Sequence, residues 1–128
     1  MSYYFSKIVD HNFETAVLKV TEELKKEGFG ILTEIDIKET LKKKLDVDIN
    51  KYRILGACNP GFAYKALQAE DKIGTMLPCN VIVQEHDNGK VEVSAVDPVA
   101  SMMSIQNDSL GSIAVQIREK LQRVIASL

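Results

Sequence analysis

The chain has 128 residues, 45% of them hydrophobic and 27% charged, with a formal net charge of -2. That length suits one ordinary domain able to bury its own core, and the composition is that of a globular protein, neither disordered nor membrane-embedded. A small negative balance with signs mixed along the chain provides no basic field, so neither nucleic acid nor anionic lipid is an expected partner.

Residues 3–9, Tyr-Tyr-Phe-Ser-Lys-Ile-Val, read as a first strand. A helix follows from about Asn12, with Phe13, Ala16, Val17, Val20 and Leu24 on one face at helical spacing and Gly28 placed to stop it. Residues 29–35 return as a strand. Asp36 and Glu39 then have the spacing of a capping box, opening a short helix with Leu41 and Leu45 inward and Lys42, Lys43 and Lys44 near its C-terminus. A third strand over 52–58 runs into Asn59-Pro60, a helix start, with Phe62, Ala63, Ala66 and Leu67 on the buried face.

The connection 71–78 is unusually apolar for a loop, through Ile73, Met76 and Leu77. Strands 81–83 and 91–93 flank Asp87-Asn88-Gly89, a hairpin signal because Asn-Gly accepts positive φ. Asp97-Pro98 repeats the cap-plus-proline device ahead of Met102 and Met103. A last helix from about Asp108 carries Leu110, Ile113, Ala114, Ile117, Leu121, Val124 and Leu128 as a nearly unbroken stripe. The order βαβαβαββαα is expected to give an α+β domain over residues 1–128. Its core would be a single five-stranded mixed sheet with the helices mainly on one face.

Residues 1–7 have neither an apolar signal core nor a small-residue cleavage site, so no leader is expected. No apolar stretch reaches the ~18 residues needed to cross a bilayer. Two cysteines, Cys58 and Cys79, are too few for a disulfide framework, and a cytoplasmic setting would keep both reduced. His11 and His86 are the only histidines, which disfavours a closed zinc site.

Three stretches carry a family likeness: Leu55-Gly56-Ala57-Cys58-Asn59-Pro60 with Ala63-Tyr64-Lys65-Ala66-Leu67, then Leu77-Pro78-Cys79-Asn80-Val81-Ile82-Val83, and Val93-Ser94-Ala95-Val96-Asp97-Pro98 with Met102-Met103. In these, spanning roughly the C-terminal half, the chain resembles the domain-of-unknown-function family 302. The resemblance implies a small α+β domain, often dimeric, without an established activity. It supplies no catalytic residues.

Chemistry, if present, is expected around Cys58 and Cys79. A thiol beside a helix N-terminus sits in positive potential, and the Gly61 and Phe62 amides offer donors to an anion. The plainer reading makes Asn59 a cap and Cys58 a small buried hydrophobe. Across the hairpin, a two-residue turn sets Asn80 opposite Asp97, whereas a three-residue turn sets Cys79 there. Cys58 joins them only if the strand from residue 80 runs antiparallel to strand 52–58, which the apolar connection favours. Otherwise the two thiols lie at opposite margins.

The expected function is a small homodimeric binding domain taking an anion or small metabolite at Cys58, Asn59, Gly61, Phe62, Cys79, Asn80 and Asp97, with surplus apolar positions on the last helix left for a subunit contact. No cofactor is expected. Two alternatives are a thiol-dependent redox or soft-metal protein, with Cu(I) suited to two thiols and a methionine, and a structural module without ligand. No phosphate-binding fingerprint, nucleophile elbow or C-x-x-C occurs, so no familiar enzyme class is expected.

Overall fold

The computed structural model describes residues 2–128. The chain forms β1 (Tyr4–Val9), α1 (Phe13–Lys26), β2 (Gly30–Asp36), α2 (Ile37–Leu45), β3 (Tyr52–Cys58) and α3 (Pro60–Ala69). A single 3-10 turn (Ile73–Met76) leads to β4 (Cys79–Glu85), β5 (Val91–Val96), α4 (Pro98–Ser101) and α5 (Asp108–Ala126). The expected order of elements is observed.

The sheet runs β1-β5-β4-β3-β2, and every neighbouring pair is antiparallel. This corrects the expectation of a mixed sheet. The reason lies in residues 70–78, which carry the chain back past α3 before β4 begins. Ile73 is fully buried against Ala66 and Leu110, anchoring that return. The outer strands β1 and β2 lie at opposite margins, joined by α1 across one face.

Strand alternation decides which face that is. Val9, Leu55, Ala57, Val81, Val83, Val93 and Ala95 point to one side, where α1 contributes Phe13, Ala16, Val20 and Leu24 and α5 contributes Ile117, Leu121 and Val124. Each fully buried Val, Leu or Phe is worth roughly 1.5–3 kcal/mol, so this one cluster dominates the fold's stability. The other sheet face is open. It carries Tyr4, Ile8 and Ile35, all partly exposed, and a polar group in which Ser6 bonds both Glu92 and Ser94 while His86 Nε2 lies 2.8 Å from Glu92.

Capping follows the sequence at four helices: Asn12, Asp36, Asp97 and Asn107 each accept a first-turn amide. The β4–β5 loop is the three-residue form. His86 N donates to Lys90 O across it, and Gly89 adopts a φ of 82°.

Two expectations about burial fail. Helix α2 buries no side chain, and Leu45 is 67% exposed, because the helix flanks the edge strand β2 and not the core. In α3 only Ala66 is buried, and Leu67 is 48% exposed. The stripe of α5 faces the core, as its spacing predicts, with Leu110, Ala114, Ile117, Leu121 and Val124 buried. Val115 is its only exposed large hydrophobic among the described residues.

Gly56 fixes how closely β2, β3 and the β4 entry approach. A Cβ there would lie 2.2 Å from Thr33 Oγ1 and 2.8 Å from Pro78 Cγ, whereas one at Gly30 would meet nothing within 4 Å. Overpacking of this kind costs about 1–3 kcal/mol. In urea unfolding, Gly56→Ala is expected to lose stability in that range while Gly30→Ala stays within about 0.5 kcal/mol of wild type. Equal effects of the two substitutions would contradict the close approach.

Candidate functional site

Antiparallel pairing of β3 with β4 sets Ala57 opposite Cys79, so Cys58 and Cys79 share one margin of the sheet. The three-residue hairpin loop pairs Val81 with Ala95, and the same register carried outward sets Cys79 opposite Asp97. Of the two arrangements open at the sequence level, this is the convergent one.

Between that margin, α3 and the first half of α5 lies a cavity of about 300 Å³. Its origin is steric. Ala57 on the sheet, Ala63 and Ala66 on α3 and Ala114 on α5 all face it, and four methyl groups cannot fill the space between the layers. This is why α3 buries so little. Larger apolar side chains close the walls, among them Phe29, Phe62, Leu77, Met102, Ile113 and Ile117. Leu32 reaches the cavity through an irregularity in the β2–β3 ladder, where Ile31 pairs with Ala57 but Thr33 pairs with Gly56. The extra residue is turned toward the mouth, a common use of a bulge.

Four of the seven expected site residues line this cavity: Cys58, Asn59, Phe62 and Cys79. Gly61 lies exposed on the first turn of α3 without lining it. Asn80, paired with Gly56, is directed to the open sheet face, where it borders a groove with Tyr52, Ile82 and Ser94. Asp97 is buried below α4, with Oδ1 accepting from Val99 N at 3.0 Å and Oδ2 3.4 Å from Arg118 Nε. Its carboxylate is therefore occupied structurally.

Asn59 departs from its expected role as a cap. Its side chain makes no bond to its own helix. Instead Nδ2 donates to Glu27 O at 3.2 Å, tying α3 to the C-terminus of α1. The amides of Gly61 and Phe62 are thus left without a capping side chain at the cavity rim.

The two thiols differ in setting. Cys58 is half-buried, whereas Cys79 is only 8% exposed. Burial, with a smaller contribution from neighbouring Cys58, pushes the Cys79 thiol up to about 11. That environment holds Cys79 as a neutral, weakly polar wall group and not as a thiolate. Met102 lines the cavity but Met103 is 59% exposed and does not. No group of three or more His, Cys, Asp or Glu side chains able to hold a metal occurs among the described residues.

Sequence reasoning missed Leu32, Phe29, Ile113 and Ile117 as cavity residues. The four alanines carried the signal, but their convergence depends on the antiparallel return, which spacing alone does not reveal.

A protein-family model, Domain of unknown function DUF302, matches residues 5–128. The chain belongs to this family. The fold is shared with a protein whose crystal structure is described as that of the uncharacterized conserved protein DUF302 from Bacillus stearothermophilus, at 25% identity and a TM-score of 0.91, over 98% of each chain. No curated protein matches the chain. Among the described residues of this DUF302 domain, no helix is long and apolar enough to cross a membrane.

The raised Cys79 thiol has a measurable consequence. With Cys58→Ser leaving one thiol, iodoacetamide alkylation at pH 8 is expected to run about 100-fold or more below that of an ordinary exposed cysteine, since two pKa units remove that much thiolate. The unfolded thiol ionises near 9.0 and the folded one near 11, so stability should also fall as pH rises between those values. Rapid alkylation at pH 8 would contradict the buried, neutral assignment.

Proposed function

We propose that this DUF302 domain is a binding protein for a small, mainly apolar molecule held between α3, the β3–β4 margin and α5. The observation that carries the reading is the cavity itself. At about 300 Å³ it sits at the lower end of ligand-pocket sizes, opens to the surface beside Leu32 and Leu67, and has walls that are apolar apart from Asn59 and two thiols. Alanines placed opposite one another forgo packing that larger side chains would supply, and a ligand restores it. Asn59 Oδ1, whose amide nitrogen is engaged with Glu27, is the one side-chain acceptor at the mouth. A cytoplasmic location keeps Cys58 and Cys79 reduced and the wall neutral in this reading.

The anion expected at the start of α3 is retained only at the rim, because the interior offers it no donors. The thiol and soft-metal alternatives lose support from the raised Cys79 thiol, which disfavours the thiolate that either would use.

A neutral fluorescent probe, N-phenyl-1-naphthylamine, tests the cavity directly. Burying ~300 Å² of its surface is worth roughly 7 kcal/mol, which corresponds to saturable binding in the millimolar range once about 4 kcal/mol of association cost is subtracted. Ala63→Trp, at a half-buried position on the wall, is expected to weaken binding at least tenfold with the fold intact by circular dichroism. Absence of binding by the wild-type chain, or binding unchanged in a folded Ala63→Trp variant, would overturn the proposal.

A further inference from the structure

We infer that the natural occupant of this cavity is an anionic amphiphile, a medium-chain carboxylate whose tail fills the apolar space and whose head emerges beside Phe62; this rests on the cavity reading above. Phe62 is the wall residue that decides the chemistry of the rim. Its ring has Lys65 Nζ 5.4 Å from the centroid and Lys120 Nζ 5.8 Å from it, one ammonium supplied by α3 and one by α5. Positive charge thus reaches this part of the rim from both helices.

Lys120 already shares one protein carboxylate, that of Glu27, with Arg123. Glu27 is engaged by Arg123, which donates from Nε at 3.2 Å and from a terminal nitrogen at 2.9 Å, while Lys120 stands farther off at 3.8 Å. Glu27 is held below the usual carboxylate range first by Arg123 and also by Lys120, so this one carboxylate is divided between two cations. Lys65 forms no ion pair among the described residues, and its ammonium rests on Phe62 alone. A carboxylate leaving the cavity beside Phe62 lies within a Debye length, about 8 Å at physiological salt, of both ammoniums. The exposed start of α3 adds potential of the same sign.

Size sets the tail. A volume of about 300 Å³, at the lower end of ligand-pocket sizes, suits a tail of medium length and not a long-chain lipid. A compact phosphate or sulfate alone would lack the apolar contact that the walls are built for.

The test compares octanoate, octanol and octyltrimethylammonium by isothermal titration on the full chain at pH 7.5. All three share the tail and differ in head charge. Octanoate is expected to bind about fivefold or more tightly than octanol, as two partly exposed charge contacts would give, and octyltrimethylammonium most weakly. Lys65→Gln with Lys120→Gln should bring octanoate down to the level of octanol and leave octanol unchanged, and 0.5 M NaCl should shrink the same advantage. Octanol binding as well as octanoate, or octanoate insensitive to the two substitutions, would overturn the head-group assignment while leaving the cavity reading intact. If none of the three binds and N-phenyl-1-naphthylamine also fails, the cavity reading itself falls with it.

Discussion

The antiparallel return of the chain between α3 and β4 governs everything at this site. Residues 70–78 retrace the length of α3, pinned by fully buried Ile73, and deliver β4 alongside β3 in the opposite direction. Had β4 entered parallel to β3, Cys58 and Cys79 would lie at opposite ends and no common margin would exist. With the return in place, the end of β3, the start of β4 and the first turn of α3 form one rim. Gly56, packed against Thr33 and Pro78 below it, admits no side chain.

The second constraint is economy of side-chain volume above that rim. The core beneath α1 and the second half of α5 is filled by large residues, whereas the space under α3 is faced by four alanines. Small domains have only about 5–15 kcal/mol of net stability, so unfilled apolar volume is seldom kept without a use. Asn59 contributes to holding the space open. By bonding Glu27 O and not its own helix, it fixes α3 to the C-terminus of α1 at one end. Asn107 bonds Ala69 O at 2.7 Å and so fixes the other end of α3 to α5. The helix is suspended between its two attachments, with the cavity beneath.

Much of the architecture was legible in the residue pattern, and the failures have identifiable causes. Helix boundaries followed caps such as Asn12 and Asp36, and the hairpin followed Asn88-Gly89, because those signals are local. Strand direction was not local. The apolar character of Ile73, Met76 and Leu77 pointed to a packed return with β4 antiparallel to β3, as observed, yet the sheet as a whole was expected to be mixed and is antiparallel throughout. Leu45 and Leu67 illustrate another limit: helical periodicity identifies an apolar face but not whether a partner layer reaches it. At the candidate site, Cys58, Asn59, Phe62 and Cys79 were found because they neighbour a strand end and a helix start. Leu32 was invisible, since a ladder irregularity turned it. Asn80 and Asp97 were grouped with the thiols by proximity along the sheet edge, but alternation sends Asn80 to the opposite face and Val99 with Arg118 occupies Asp97.

The domain is thus a one-sided antiparallel sheet whose main core is closed and whose α3 corner is left open. The most direct test of that account is methyl NMR of the chain during titration with a neutral apolar probe. The account predicts saturable shifts confined to cavity methyls, those of Met102, Ile113 and Ile117, with Ile8 and Ile35 on the open sheet face unmoved. Shifts centred on Ile8 and Ile35, or spread evenly over both faces, would contradict it.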